Sequence, residues 1–497
     1  MSAMKTTPAE PPYILALDIG SSSVRALLFD RQGATVEVVE GRQAVIARTS
    51  PPGAHEFDPD ELLERIFACL DQALAQAGPL AGAIVGVGVA TFANNIFGLD
   101  AAGRAIFPLT TYADARAAGE VPGLRADCDE TETHQRTGCR FHPSYLPARL
   151  RWLHRSDPAR FAQVARWLSI GEYLELRLFG ETAVSYYVAS WTGLLDRRQL
   201  IWDAPLLSQS PISNLHLSPL TDFNRPRFDL RPAFAARWPA LTHVPWFPAI
   251  GDGAAANIGS GATGPSRVAL TVGTTAALRV VLETDIPTLP PGLWCYRVDR
   301  RRSLPGGALT EGGNVYAWMG ESLQLGDREA VESALSALPP DGHGLTILPF
   351  FSGERAPGWA GDARATIHGL TLGTTPLDIL RAGMEAVAYR IALVYDMLAS
   401  LLPGEAQIIA SGGALAASLT WLQIMADALG RPITLSQAAE ATARGVALLA
   451  LAALGLLPGL AAAPDLLGPT CAPDPERHAL YRRAIARQQD LYARLVR

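Results

Sequence analysis

One acidic residue between two glycines, Gly251-Asp252-Gly253, has the chemistry of a proton acceptor. The flanking glycines remove side chains that would keep a ligand off the carboxylate, and a general base must touch the hydroxyl it deprotonates. The apolar segment Trp246–Ile250 precedes it, and Ala254 to Ile258 reads as the opening of a helix whose amide end would face the carboxylate. The same spelling suits an aspartate that caps that helix. Both readings stay open on the motif alone.

Two further groups are built for oxyanions. Asp18-Ile-Gly-Ser-Ser-Ser23 joins an apolar strand, Tyr13–Leu17, to a second strand, Val24–Asp30. The amides and hydroxyls of Gly20, Ser21, Ser22 and Ser23 can cradle phosphate oxygens, and Asp18 can hold a metal ion through water; an ordinary serine-rich turn has the same composition. Val268–Val281 repeats this grammar about 250 residues later, with Gly273-Thr274-Thr275 as its turn. Such a coarse internal repeat predicts two related lobes, each donating amides to one nucleotide. Gln407–Ala414 is a strand that ends in Ser411-Gly412-Gly413-Ala414, a flat loop against which a purine or ribose can lie. A structural strand-to-helix turn would be spelled alike.

A neutral and charged hydrogen-bonding set, Asn94, Asn95, Tyr112, Asp114 and Arg116, falls in two loops, Thr91–Phe97 and Thr110–Arg116, and suits polyhydroxylated molecules. The first loop follows a buried strand, Ala83–Ala90. Asp58-Pro-Asp-Glu61 predicts a helix start with Asp58 as N-cap, Pro59 in the first turn and Glu61 closing a capping box. Arg149–Phe179 reads as helical, Ser185–Asp196 as a loop and the start of another element, and Asp474–Arg497 as an arginine-rich solvated helix.

At 497 residues the chain requires two or more domains, and 48% hydrophobic residues exclude disorder. A net charge of −6 without long charge runs argues against a nucleic-acid or anionic-membrane partner and for a small-molecule ligand. Lys5 is the only lysine. That excludes a Walker A loop, a protein-kinase site and Schiff-base chemistry, leaving backbone, hydroxyls and arginine to handle phosphate. Five scattered cysteines without a C-x-x-C pair, and an N-terminus without a signal-peptide core, read as cytoplasmic. Gly445–Ala463 imitates a membrane span, but its alanines, internal glycines and Pro458 predict a buried helix over 443–456. Gly259-Ser-Gly-Ala-Thr-Gly264 spells a dinucleotide fingerprint, yet it follows a helix and precedes a strand, the reverse of what that motif requires. No clustered histidine signal predicts a protein metal centre.

With Asp18-Ile-Gly-Ser-Ser-Ser23, Gly251-Asp-Gly253, Thr271-Val-Gly-Thr-Thr275 and Ser411-Gly-Gly413 in this order, the chain resembles the FGGY carbohydrate kinases of the actin-like ATPase superfamily over nearly its whole length. Ser352-Gly-Glu-Arg-Ala-Pro357, Ala365–Leu370 and Asp378–Glu385 are close to that family's second signature, with Gly383 off pattern. Ser144–Leu153 is a weaker match to the first, with Arg149 where lysine is usual. The resemblance implies an α/β fold of two actin-like, ribonuclease H-like lobes, residues 13–253 and 254–497, with an interlobe catalytic cleft and a disordered start over 1–12. It implies ATP- and Mg²⁺-dependent phosphorylation of a sugar, polyol or sugar acid. In that scheme Asp252 is the base, Asp18 positions Mg²⁺, the Gly20–Ser23 turn with Arg25 and the Gly273–Thr275 turn hold phosphates, and Ser411–Ala414 lies near the adenosine.

Asn94-Asn-Ile-Phe-Gly98 and Tyr112-Ala-Asp-Ala-Arg116 depart from the family's xylulose pattern, whereas His142-Pro-Ser-Tyr145 and Ala189–Asp196 look more like its gluconate-kinase members. Gluconate is therefore favoured over a pentulose, with Arg116 available to pair with a carboxylate. An actin-like ATPase switch and a silent sugar sensor are the rival classes, and a homodimer is the protein partner compatible with either.

Overall fold

In the computed structural model residues 10–496 are described; the expectation of disorder over residues 1–12 falls mostly outside them. Contacts divide the chain into two compact units. One comprises the residues up to Gly259 together with Cys295–Ser303 and Ala438–Asp465; the other comprises Ser260–Trp294, Leu304–Gln437 and Leu466 onward. A single cut after residue 253 therefore describes neither unit, because the expected C-terminal half returns a helix to the first sheet.

The first unit carries a sheet in the order Ile250–Gly251, Ile84–Thr91, Tyr13–Ile19, Ser23–Phe29, Thr35–Ala44. The first three strands are mutually parallel and the last two close an antiparallel meander. The second unit repeats this plan: Ile433–Ser436, Gln407–Ser411 and Arg267–Val272 are parallel, and Ala276–Val280 and Ser303–Leu309 continue antiparallel, with Leu467–Cys471 added at the parallel end. The internal repeat legible at the two turns is thus a repeat of a five-strand topology. The central strand Tyr13–Ile19 is buried at every position, which is why it reads as a continuous apolar run rather than an alternating one.

The apolar stretch after Ala441 is a helix, Ala441–Ala453, ending earlier than expected, and it packs against Asp252–Gly259. A Cβ on Gly259 would lie 1.8 Å from the Ala441 carbonyl oxygen, and one on Gly445 would lie 1.8 Å from that of Ala255. Small residues there serve backbone-to-backbone packing of two helices. Among the described residues no helix is long and apolar enough to cross a membrane.

The predicted helix over 149–179 is three helical pieces and a strand: Leu146–Ser156, Pro158–Phe161, Arg166–Leu168 and Ile170–Phe179. Arg166–Leu168 pairs with Phe97–Leu99, and Ser169 with Glu172 forms the capping box that starts the last helix. The apolar spacing runs through the break because both helices bury one face, so periodicity did not report it. At Asp58 the cap forms with the amides of Asp60 and Glu61. Ser185–Asp196 resolves into Val184–Ser185, the helix Tyr186–Trp191 and the short strand Leu195–Asp196.

In the second unit the signature helix Pro376–Ala399 buries Glu385 completely. Its carboxylate meets Arg381 Nε at 2.8 Å, His343 Nε2 at 3.0 Å, and the hydroxyls of Tyr389 and Tyr481 at 3.0 and 2.9 Å. Burial pushes this carboxyl upward, but His343 and Arg381 outweigh it and leave it below its usual range. Glu385→Ala is expected to lower unfolding free energy by about 3–5 kcal/mol, since Arg381 would be left buried without its anion. Chemical denaturation measures this, and a loss under about 1 kcal/mol would remove the structural role.

Candidate active site

The carboxyl ends of three parallel strands meet at one edge of the first unit's sheet. Asp18 and Ile250 both pair with Ala90, and Ile19 and Gly251 both pair with Thr91, so Asp18 and Asp252 stand on either side of Ile84–Thr91 at its carboxyl end, Asp252 one residue beyond the last pair. In open α/β sheets this edge is where ligands bind. Asp252 is the first residue of its helix, half-buried, and its Oδ1 accepts the Gly253 amide at 2.7 Å.

Asp18 is 2% exposed and is gripped across the hairpin by Arg25, 2.6 Å from Nη2 to Oδ2. The other terminal nitrogen of Arg25 donates to Glu440, the residue that opens the Ala441–Ala453 helix. Burial pushes the Asp18 carboxyl up to about 6; Arg25 pulls it back, while Asp252 and Glu440 add to the rise. Asp18 and Glu440 therefore share a single guanidinium, and Asp252 acts electrostatically on Asp18. Arg25, expected at phosphate, holds this cluster together, and Glu440 had no signal in the sequence beyond an ordinary helix start.

The neighbouring turn is closed by the Gly20 amide donating to the Ser23 carbonyl at 3.0 Å. The hydroxyls of Ser21, Ser22 and Ser23 make no hydrogen bond among the described residues and lie at or near the surface, as an oxyanion cradle requires.

Two aromatic residues wall the base. A Cβ on Gly251 would lie 2.0 Å from Tyr187 Cε1 and 2.7 Å from Trp191 Cζ3, so the glycine before Asp252 is fixed by that contact. These rings sit on the helix Tyr186–Trp191 and meet edge to face at 5.8 Å.

The expected hydrogen-bonding set has other work. Asn94, in the left-handed region at φ 53°, donates to the Trp191 carbonyl, and its own carbonyl accepts Arg149. Asn95 donates to the Phe92 carbonyl at 2.6 Å and accepts the Ile170 amide at 2.7 Å. Both side chains are 1% exposed and committed to backbone, so they shape the loop and steady the aromatic helix. Arg149, in the lysine position of the weaker signature, is buried among carbonyl oxygens, including that of Pro143 at 3.1 Å. Tyr112 is half-buried, and its carbonyl accepts the Ser144 hydroxyl at 2.8 Å.

Arg116 is spent on the protein's own carboxylates. Its Nη2 meets Asp114 Oδ2 at 2.5 Å and also Glu56, and its guanidinium stands 4.6 Å over the Trp152 ring. Asp114 is buried and also accepts the His55 amide at 3.2 Å. Two carboxylates on one guanidinium leave no positive charge to attract a substrate carboxylate, which corrects the expected pairing. Arg116→Gln should cost about 1–3 kcal/mol of stability by leaving Asp114 and Glu56 short of a donor. The ratio of turnover on acidic against neutral acceptors should stay unchanged; a fall in that ratio measured on the variant would restore substrate contact.

The second unit positions the other turn. Gly273–Thr275 connects Arg267–Val272 to Ala276–Val280, and its carbonyls accept from the N-terminus of the helix Gly313–Ser322: Gly313 N to Gly273 O at 2.7 Å and Asn314 N to Thr274 O at 3.1 Å. The hydroxyls of Thr274 and Thr275 make no hydrogen bond among the described residues. Alongside, Thr271 and Ser411 share a 3.2 Å hydroxyl contact at the ends of two parallel strands. Gly412 has φ 99°, and a Cβ there would lie 2.3 Å from the Val272 carbonyl oxygen. That close approach brings Gly413 and Ala414 onto the start of the next helix, Gly413–Ala416.

Ala414 and Gly313 line one cavity of about 360 Å³, walled by Tyr316, Leu325, Leu380 and Trp421. Its size and apolar walls suit a nucleobase. The turn and the flat loop were legible in sequence; Tyr316 and Trp421, stacked at 6.2 Å, were not. Glu311, just before the helix, is also buried; burial pushes its carboxyl up to about 7, while the Thr310 hydroxyl and the Ser352 amide donate to it.

The profile for the FGGY family of carbohydrate kinases, N-terminal domain, matches residues 13–259, and that for the C-terminal domain matches residues 268–454. The chain is similar to a gluconokinase of Bacillus licheniformis, 25% identical over 94% of this chain and 91% of the relative. It is 30% identical to a glycerol kinase of Stenotrophomonas maltophilia (strain K279a), with 90% of each covered. Its fold matches the crystal structure of gluconate kinase from Lactobacillus acidophilus with a TM-score of 0.89 and 23% identity, covering 98% of this chain and 99% of the other.

Proposed function

Because the chain belongs to the FGGY family of carbohydrate kinases, an ATP-dependent sugar kinase, we propose that its acceptor is gluconate and that Asp252 takes the proton of the attacking hydroxyl. The observation that carries the base is its place: a half-buried carboxylate at the carboxyl end of a parallel strand, reached across glycine backbone and walled by Tyr187 and Trp191. Phosphoryl transfer asks a protein mainly for alignment and charge stabilisation. Ser21, Ser22 and Ser23 offer hydroxyls and neighbouring amides of the kind that bind phosphate oxygens, and so, separately, do Thr274 and Thr275. The cavity beside Ala414 receives the base of the nucleotide.

The donor set around Asp18 fits Mg²⁺. Carboxylate oxygens suit a hard cation, and a buried anion held by one guanidinium shared with Glu440 gains from a second positive charge. Asp18 and Glu440 are the residues that would hold the ion, which when bound offsets phosphate charge.

Gluconate rests on the gluconokinase relative, which spans 94% of this chain; the glycerol kinase relative at 30% identity favours a neutral polyol as the second reading. The deciding measurement is ADP release over gluconate, glycerol, xylulose and ribulose at equal enzyme. We expect the highest kcat/KM on gluconate. A higher value on glycerol or a ketose would replace the acceptor and leave the kinase, whereas a flat response to every acceptor would remove the kinase reading in favour of an ATPase switch or sensor.

A further inference from the structure

The base pocket of the second unit has a single charged side chain in its lining, the donor Arg328. Most of its lining is apolar, and two of its four polar side chains are already used. Trp421 Nε1 donates to the Met384 carbonyl at 3.0 Å. The Ser418 hydroxyl donates to Glu332 at 2.8 Å and accepts the Trp421 amide at 3.1 Å. Glu332, outside the lining, also receives the Thr420 amide at 2.9 Å. What remains on the wall is the Tyr316 hydroxyl and the exposed guanidinium of Arg328, whose single hydrogen bond among the described residues is a long one, 3.3 Å from Nη2 to the Ala417 carbonyl. Arg328 stands close enough to Tyr316 to act on its hydroxyl electrostatically.

Arginine has donors and no acceptor. Both purines present N7 to such an edge, but a 6-aminopurine sets a donor, N6, beside it, whereas a 6-oxopurine sets O6 there, completing the acceptor pair that an arginine fork matches in a bidentate way. We propose that this pocket takes 6-oxopurine triphosphates, GTP and ITP, as phosphoryl donors alongside ATP, with Arg328 reading the O6 and N7 edge. This rests on the phosphotransferase reading above. With GTP the bond from the γ-phosphorus to the bridging oxygen of the β-phosphate breaks, a bond to the acceptor hydroxyl oxygen forms, GDP leaves, and the hydroxyl proton passes to Asp252.

The test measures phosphorylated product, by a readout independent of nucleotide identity such as phosphorus NMR, with ATP, GTP and ITP on the acceptor that the panel selects. We expect kcat/KM for GTP and ITP within about tenfold of ATP, a span of roughly one bidentate contact. In Arg328→Leu the GTP-to-ATP and ITP-to-ATP ratios should each fall at least about fivefold, and in Arg328→Lys, which keeps a donor, they should fall less. ATP turnover with GTP and ITP more than about a hundredfold weaker, or ratios unchanged in Arg328→Leu, would overturn the proposal while sparing the kinase. Absence of product with every nucleotide and every acceptor removes the phosphotransferase reading and the proposal with it.

Discussion

Asp252→Asn is expected to lower kcat by roughly 10²- to 10⁴-fold, the usual contribution of a positioned general base, with thermal unfolding close to wild type. The substitution separates the two roles that Gly251-Asp-Gly253 allows. Asn keeps an oxygen that can accept the Gly253 amide, the 2.7 Å bond now made by Oδ1, so a capping function survives. What it loses is basicity. Nucleotide affinity should hold, because the base pocket belongs to residues of the second unit such as Ala414 and Trp421. Steady-state rates on the preferred acceptor, with a melting curve on the same sample, check this. Wild-type turnover in the variant would return Asp252 to the helix.

Asp18→Asn is the second large effect, and it moves activity and stability in opposite directions. Turnover should fall by at least about 10²-fold, as when one preorganised electrostatic group is removed from a phosphoryl-transfer site. Stability at pH 8 should rise. The Asp18 carboxyl titrates at about 6 in the folded chain because burial disfavours its charge, against an ordinary value of 3.8. For a group raised on folding, the favourable contribution is complete below the unfolded value and is lost as pH climbs through the folded one. Wild type therefore loses, between pH 4 and 6, on the order of 3 kcal/mol that the neutral amide does not. The difference in melting temperature between variant and wild type, followed from pH 4 to 8, should open across that window. A difference that stays constant with pH would show that Asp18 is not held against its own charge. Wild-type kcat/KM for nucleotide should lose activity on the acid side of the same window, since the neutral acid is a poorer partner for a cation.

Stability and function pull apart most plainly at the edge carrying Asp18, Asp252 and Glu440. Two buried carboxylates of the second unit are instead matched by arginine and by hydrogen bonds. Glu354 accepts the Gly358 amide at 3.1 Å and the Tyr492 hydroxyl at 2.6 Å beside Arg390, and Glu385 has five partners, the Asp341 amide at 3.3 Å among them. Glu354 and Glu385, in the stretches close to the second signature, thus serve architecture through these networks, while the strand-end cluster sets two carboxylates, Asp18 and Glu440, on one guanidinium.

Local chemistry was readable because it is local. A turn of glycine and hydroxylated residues between two apolar runs specifies a hairpin and its free donors within a few residues, and both such turns stand at Gly20–Ser23 and Gly273–Thr275. The same holds for the Asp58 cap of the helix Pro59–Ala77. Side-chain polarity in a loop does not say which way the side chain turns. Asn94, Asn95 and Arg116 carry the composition of a sugar site, yet the fold spends them on Trp191, Phe92, Ile170, Asp114 and Glu56, partners that loop spelling does not reveal.

By itself the sequence determined the repeated sheet grammar, the two oxyanion turns, the candidate base and the absence of any lysine that could serve phosphate. Tertiary structure alone decided what surrounds them: that Arg25 reaches a carboxylate 415 positions away, that Tyr187 and Trp191 close over Gly251, and that Tyr316 meets Trp421 to wall an apolar cavity. The physical reason is range. Turn geometry follows from dihedral preference and hydrogen-bond reach over a few residues, whereas charge pairing and aromatic packing depend on which helices the core brings together. That choice was made by glycine contacts such as Gly259 with Ala441 and Gly445 with Ala255, which seat the Ala441–Ala453 helix so that Glu440 meets Arg25.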